Sequence, residues 1–392
     1  MKKMTAAVAL MAVFTLAICL IILGSVSIEL MNALDINSGQ FGTLVLALFL
    51  ASFFVQLIAG PLVDKIGHKP VVIFGFAATS LSMFILSYAT CFNVALIACI
   101  ILGIGAMSVN TVGNTLIPVV LFEGKDPARA SNFGNGFFGL GYVLTPLLVV
   151  FIINSLNYSY NTALIVIAIL CLVFLLFALL TSFPAVRTGF KFSKALKLLL
   201  NPAVIIAALG MFCYTSLESS VSTWIKKLME ELYSNRTGID ASTRAGLVLS
   251  LFGVAMMTGR FLTSSIKNLT AIGTKIIISA TILAIFSVVL MMIAKSPVTG
   301  IIAVIIAGIS FAPIFPTIVG VTFAKFESGL YGSIFGIIFA IGLLGGTFVP
   351  KIIGNLSILS TIQQSLLVAV VIAVILLIIA VFIGRIRNTK TG

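Results

Sequence analysis

Residues 60–69 read Gly60-Pro61-Leu62-Val63-Asp64-Lys65-Ile66-Gly67-His68-Lys69, a short polar hinge between two long apolar runs. Phe41 to Ala59 precede it and Val71 to Leu86 follow it, each long enough to approach the thickness of a bilayer core. A charged hinge of this kind is where a chain turns back at a membrane surface. Asp64 stands at the end of the first run, where a carboxylate can meet the positive amino terminus of a neighbouring helix. The glycines permit a tight turn and close helix packing, and Lys65 and Lys69 can pair across a seam between helices.

The rest of the chain agrees with that hinge. Of 392 residues, 60% are hydrophobic and 8% charged, with 23 Lys+Arg against 10 Asp+Glu and a formal charge of +13. Mean hydropathy is +1.27. A soluble domain carries about 25% charged residues, so soluble enzymes and disordered chains are excluded. Nucleic-acid partners are excluded too, because the positive balance comes from scarce acids and not from basic runs. At ~30 residues per span plus loop, the chain has room for about twelve helices.

Composition also limits chemistry. His68 is the sole histidine, which leaves no His-built metal site and no Ser/His/Asp triad. Cys19, Cys91, Cys99, Cys171 and Cys213 are dispersed without a CxxC and read as small apolar residues. No phosphate-cradling G-x-x-x-x-G-K-[ST] occurs, so transport would draw on an ion or solute gradient. Neither an enzyme, a cofactor nor a metal is expected. Met1-Lys2-Lys3 and its apolar continuation read as a first span and not a cleaved signal peptide.

Apolar runs between polar breaks predict spans at 6–33, 39–62, 70–91, 93–121, 128–154, 160–183, 202–226, 243–266, 272–294, 297–323, 329–354 and 361–384. They are too long and too continuous for barrel strands, and backbone hydrogen bonds in lipid must close within each segment, so all are helices. Gly103, Gly105, Pro146, Pro316 and Pro350 mark close contacts or kinks within them. The expected fold is therefore an all-α polytopic membrane protein of twelve helices in two pseudo-symmetric six-helix bundles. The bundles would be 1–183 and 202–392, joined by a cytoplasmic linker at 184–201. Orientation follows the positive-inside rule. Lys2, Lys3, Lys65, Lys69, Lys125, Arg129, Arg187, Lys191, Lys194, Lys197, Lys267, Lys275, Lys325, Arg385, Arg387 and Lys390 fall on one side. The other receives only Lys226, Lys227, Arg236, Arg244, Lys295 and Lys351, so both termini are expected to be cytoplasmic. Asn235-Arg236-Thr237 on the outer side forms a glycosylation sequon. One constant offset carries Gly42 onto Gly246, Asp64 onto Asn268, Phe122-Glu123 onto Phe326-Glu327, and Pro146 onto Pro350. That favours a duplicated half around a central cavity, the architecture of alternating-access carriers.

The hinge resembles the loop signature of the major facilitator superfamily, G-x-x-x-D-(R/K)-x-G-x-(R/K). Gly60, Asp64, Lys65, Gly67 and Lys69 stand at the required spacing, while the second copy, around Asn268, lacks the acid. In the next loop Asp126-Pro127 reads as an N-cap followed by Pro at N1. Glu123 and Arg129 are placed to exchange salt bridges with the Asp64 loop as one side opens and closes, with Glu327 as the counterpart of Glu123. The alternative is that these are solvated loop charges. Arg260, near the end of span eight, completes the gating set, either bridging helices or binding a substrate anion.

A narrower likeness follows from Asn110-Thr111-Val112-Gly113-Asn114-Thr115, Ala130-Ser131-Asn132-Phe133-Gly134-Asn135-Gly136, and the run from Cys213-Tyr214 through Glu218 to Trp224. With Gly259-Arg260-Phe261, Phe311 to Pro316 and Gly345-Gly346, these resemble the fucose–proton symporter family. The resemblance implies a monosaccharide carried with protons. That family commonly opens the span-four motif with Glu, in E-T-x-x-N-P, where this chain has Asn110, and Thr115 replaces the Pro. The middle of span one holds no acid either, so coupling through the usual acids is absent.

Polar groups inside spans are costly and are functional candidates by default. Glu218 lies about 25 Å along its helix from Asn201 at ~1.5 Å per residue, a depth toward the outer half. Tyr214, Glu218 and Ser222 recur at i, i+4 and i+8 and so share a face. Glu218 is the candidate for proton coupling, against a structural carboxylate bonded to hydroxyls, whereas Glu29 near the outer end of span one meets water. Asn110, Thr111 and Asn114, with Asn135, offer the donors and acceptors that vicinal hydroxyls need, unless they serve as interhelical glue. Trp224 either stacks on a sugar ring or belongs to an interfacial belt.

Together these point to a monomeric secondary carrier in the plasma (inner) membrane, its partners a small solute, protons and lipid. The alternatives are a facilitator or exporter of a non-sugar molecule in the same fold and, more remotely, a non-transporting receptor.

Overall fold

The computed structural model describes residues 2–184, 197–233 and 241–385. The expected linker is largely outside them, with Arg187, Lys191 and Lys194, as are the sequon at Asn235, Arg236, Arg387 and Lys390.

Among the described residues twelve helices are long and apolar enough to cross a membrane: Lys3–Ser25, Gly39–Ile66, His68–Ser87, Phe92–Gly124, Pro127–Ser155, Tyr160–Leu180, Pro202–Tyr233, Arg244–Ser264, Leu269–Ile293, Pro297–Phe323, Ser328–Leu359 and Ile362–Ile383. They are spans one to twelve below. Large apolar side chains such as Leu46, Phe54, Ile58, Ile169 and Phe286 are exposed on them, a surface suited to lipid and not to water. The chain is an all-α, multi-pass integral membrane protein.

The boundaries have local causes. Asn37 caps span two through a capping box: its Oδ1 accepts from Gln40 N at 2.9 Å while its own N–H donates to Gln40 Oε1 at 3.1 Å. Gly67 ends that span at φ 89°, ψ 170°, a conformation that favours glycine, so the hinge turns where the motif places it. Ser296 and Thr299 form a second box ahead of span ten.

Three departures from the expected spans are informative. Span one stops at Ser25 and a separate helix, Ser27–Leu34, follows, ending at Asp35 in the left-handed region. The Ser25 and Ser27 hydroxyls bond back to the Ile21 and Gly24 carbonyls, competing with the backbone ladder. Span seven runs on to Tyr233, past the expected 226, because Leu228, Met229 and Tyr233 are buried and Lys226 pairs with Glu230 at 3.8 Å. Span ten is two helices, Pro297–Phe311 and Ile314–Phe323, parted at Pro313, which has no N–H to give the ladder.

The chain forms two compact units. Unit 1 is Met1–Glu123, Phe137–Ala195 and Ser328–Gly336; unit 2 is Gly124–Gly136, Leu196–Glu327 and Ile337–Gly392. In unit 1, spans one, two and three all pack on span four. Small residues make this possible: a side chain at Gly103 would strike the Leu48 backbone, and one at Gly113 would strike Val13. In unit 2, span nine packs on ten and twelve, and span seven on eight and twelve.

Candidate functional site

Asp64, at the end of span two, is 8% exposed. Its Oδ1 accepts from Gly332 N at 2.9 Å, and its Oδ2 from Ser333 N at 2.7 Å and the Ser333 hydroxyl at 2.6 Å. All three donors lie at the start of span eleven within unit 1, so an anion sits on a positive helix terminus. Gly60, one turn earlier, has no room for a side chain, because a Cβ there would enter the Gly332 carbonyl. Lys69 instead reaches the negative end of span six, donating to the Leu179 and Thr181 carbonyls at 2.8 and 3.0 Å. Lys65 is exposed. Glu123 is exposed in a left-handed turn, Phe122 (φ 47°) and Glu123 (φ 59°) running into Gly124 (φ 72°). Glu327 is also exposed. Arg129 lies in unit 2, its Nε donating to the Ser264 carbonyl at 2.8 Å.

Inside unit 1, Asn110 and Thr111 have no exposed surface and Asn114 is 2% exposed. They meet Gln56 of span two, which is itself fully buried. Asn110 Nδ2 donates to Gln56 Oε1 at 3.3 Å, and Gln56 Nε2 to the Thr111 hydroxyl at 3.4 Å. Asn114 Nδ2 donates to Asn110 Oδ1 at 2.8 Å. Below them Thr115 meets His68 Nε2 at 3.2 Å. The amides thus satisfy one another between spans two and four. Replacing Asn110 by Leu strands the Gln56 and Asn114 amides, at a cost of about 1–3 kcal/mol. The thermal midpoint of the detergent-purified protein should fall by several degrees, and Gln56→Leu added to it should recover part of the loss, because both partners are then apolar.

Inside unit 2, spans five, seven, eight and ten converge on Arg260, 3% exposed. Its Nη2 stands 3.7 Å from Glu218 Oε1 and donates to the Tyr214 hydroxyl at 3.4 Å. Its Nη1 donates to the Asn135 carbonyl at 3.2 Å and its Nε to the Ala312 carbonyl at 3.4 Å, beside the break in span ten. The Asn135 amide turns back to the Ser131 carbonyl at 3.0 Å. Tyr214 stacks on Phe315 with ring centroids 6.0 Å apart. The Glu218 side chain keeps 28% of its surface exposed. A buried guanidinium is costly unless paired, and the carboxylate with three polar oxygens is what holds it there.

Glu218 lies mid-way along Pro202–Tyr233, which extends beyond the expected end at 226. The Ser222 hydroxyl returns to the Ser219 carbonyl at 3.2 Å. Trp224 donates Nε1–H to the Pro350 carbonyl at 3.1 Å, its ring fills the space beside Gly354, and Lys227 lies 5.8 Å above it.

Gln56 escaped the sequence reading, although a lone amide within an apolar run is the same signal that marked Glu218. An apolar cleft of about 430 Å³ also opens in unit 1, beside Phe14, Ile18, Leu144, Leu147, Phe151 and Ile167. Its lining is apolar apart from Thr145, whose hydroxyl donates to the Gly141 carbonyl.

The sequence profile of the Major Facilitator Superfamily matches residues 6–350. No curated protein matches the chain. Among solved structures, FucP, a Major Facilitator Superfamily transporter in the outward conformation, is similar at 18% identity and a TM-score of 0.79, over 96% of this chain and 98% of that one. The human organic anion transporter MFSD10 is similar at 15% identity and 0.76, over 97% and 99%. The proton:xylose symporter XylE, bound to 6-bromo-6-deoxy-D-glucose, is similar at 14% identity and 0.75, over 98% and 95%.

Proposed function

The chain belongs to the major facilitator superfamily, and on that premise we propose that this secondary transporter carries a monosaccharide together with protons. Membership makes it an alternating-access carrier and not an enzyme. The proposal adds the solute, the coupling ion and the orientation: a monomer in the plasma (inner) membrane with both termini cytoplasmic, its halves 1–183 and 202–392 rocking about a linker at 184–201.

The observation that carries the reading is the Glu218–Arg260–Tyr214 group in the middle of span seven. Glu218 presents a carboxylate acceptor to hydroxyl donors, and Arg260 balances its charge, so the group as a whole suits a neutral polyol. Asn135 borders it, and Trp224 stands about two turns beyond Glu218 along span seven, nearer the outer face. Asn110, Thr111 and Asn114 are assigned to holding spans two and four together, because Asn110 and Thr111 bond Gln56 and Asn114 bonds Asn110.

A second reading has its own observation. Arg260 would be a ready partner for a carboxylate-bearing solute once Glu218 is protonated, and an organic anion transporter shares the fold. Purified protein in proteoliposomes separates the two. Saturable uptake of one labelled monosaccharide, stimulated by an inward proton gradient, is the expected result. Uptake confined to organic anions would favour the second reading, and sugar uptake indifferent to the gradient would make the protein a facilitator.

A further inference from the structure

Residues 130–186 carry no charged side chain, and neither Lys nor Arg occurs between Lys3 and Lys65. The apolar cleft of about 430 Å³ lies in this uncharged part of unit 1, between spans one, five and six. Span five shapes it. At Gly141 that span lies hard against span one, because a Cβ there would strike the Phe14 carbonyl. One turn on, the Thr145 hydroxyl bonds back to the Gly141 carbonyl at 2.7 Å, and Pro146 gives no N–H to the ladder. Phe151–Ser155 then form a turn of π-helix, with Leu156 N donating to the Phe151 carbonyl at 3.1 Å. Two irregularities so close together turn span five aside from span one, and the cleft opens between them.

Its depth and its burial both grade. Phe14 stands midway between Lys3 and Ser25, and Phe151 is one turn short of the end of span five at Ser155. At ~1.5 Å per residue, the cleft therefore runs from mid-span to about 6 Å from the helix ends that lie away from the Gly60–Lys69 hinge. Its floor, Ile18 and Ile167, is 2% and 1% exposed. Its rim, Leu144, Leu147 and Phe151, is 43%, 58% and 53% exposed and continues into the lipid-facing surface through Val150.

We infer that this cleft is a binding site for one acyl chain of a bilayer phospholipid, held by its tail and not by its headgroup. At that depth the bilayer is hydrocarbon, and the rim is continuous with the surface that hydrocarbon covers. A single turn of helix with its side chains occupies ~420–610 Å³, at ~10–12 Å diameter and ~5.4 Å pitch, so the cleft suits a tail and is too small to seat a helix of a second copy. Lipid tails are as apolar as leucine, so entry gains nothing from leaving water. The gain is contact with three helices where the outer surface offers one. Where the chain reaches the membrane surface above the cleft, Asn154, Ser155, Asn157 and Ser159 are exposed and neutral, and the first charge after span one is Glu29. Nothing in these segments attracts an anionic headgroup. The site needs the bilayer alone and is indifferent to the transported solute.

The test uses full-length protein in nanodiscs of phosphatidylcholine that carries a diazirine midway along one acyl chain, with adducts mapped by peptide mass after irradiation. Ile18 and Ile167 should be labelled, although a lipid lying on the outer surface does not reach them. Leu148→Trp, which puts an indole into the cleft, should cut labelling at both about tenfold and leave the exposed Phe286 of span nine labelled as before. Phosphatidylglycerol with the same labelled chain should give the same yield. Absence of label at Ile18 and Ile167, or label that Leu148→Trp does not reduce, would overturn the site. A yield that follows headgroup charge would overturn recognition by the tail. Label that is lost when each disc holds two copies would give the cleft to a second chain instead. If Leu148→Trp does not fold, Leu144→Trp on the exposed rim carries the same test, with unreduced label as the refuting result.

Discussion

Asp64→Asn should displace the conformational equilibrium further than any other single substitution in the hinge. Three donors converge on that carboxylate, two of them backbone N–H groups at a helix start that have no intrahelical partner. Asparagine keeps one acceptor oxygen and turns an NH2 group toward the remaining donors. Hydrogen bonds to charged groups contribute ~1.5–3 kcal/mol each, so the net loss is about 2–3 kcal/mol, or roughly 30–150-fold in the ratio of states. Alkylation of a cysteine introduced at Ser328, in an otherwise cysteine-free background, should accelerate as the start of span eleven is released. Asp64→Glu keeps the charge on a longer arm and should show a smaller effect. An alkylation rate that Asp64→Asn leaves unaltered would reduce Asp64 to a topological marker.

How far the hinge could be read in advance depends on how local its physics is. Gly60, Asp64 and Gly67 were legible because a helix stop, a carboxylate at a helix end and a left-handed glycine are each decided within a few residues. The partner of that carboxylate was legible only as a type, a helix start, and not as Gly332 and Ser333, which are joined to it through the packing of distant spans. The degenerate second copy misled in an instructive way. With Asn268 in the acid's place the loop looked unheld, and nothing near it in sequence shows that Asp126 supplies the charge. Lys69 teaches the same lesson, since its position beside Asp64 suggested a cation for the seam, whereas the nearest unsatisfied carbonyls belong to the end of span six.

Inside the membrane the polar residues were legible as a set and their pairings were not. Asn110 and Asn114 share a helix face by spacing, which fitted a solute-binding surface and an interhelical contact equally well. In the structure both are buried, and Asn110 bonds Gln56 of span two. Glu218 and Arg260 were singled out separately, at depths that did not match. They meet because spans seven and eight pack against one another, and the Ala312 carbonyl, four residues before Pro316, which has no N–H to give it, is a further acceptor for Arg260. Pro316, one of the residues marked in sequence as a close contact or kink, lies in the first turn of the second helix of that span, just past the break.

Glu218→Gln should abolish gradient-driven accumulation while leaving exchange intact. A coupled carrier must let Glu218 alternate between a protonated form and an ionised form paired with Arg260, and glutamine fixes the neutral form at nearly the same size. One pH unit corresponds to ~1.36 kcal/mol per proton, so a tightly coupled wild type accumulates solute up to about tenfold per proton under that gradient. The variant should settle at equal concentrations on both sides, yet exchange labelled for unlabelled solute at a comparable rate. Stability is the confounding variable, because glutamine leaves Arg260 without its carboxylate, and breaking a buried pair costs up to ~3–5 kcal/mol. Glu218→Gln combined with Arg260→Gln removes both charges and should regain thermal stability without regaining accumulation. If the single variant still concentrates solute against its gradient, Glu218 is not the coupling site. If the double variant recovers accumulation together with stability, the loss in the single variant belonged to folding and not to proton chemistry.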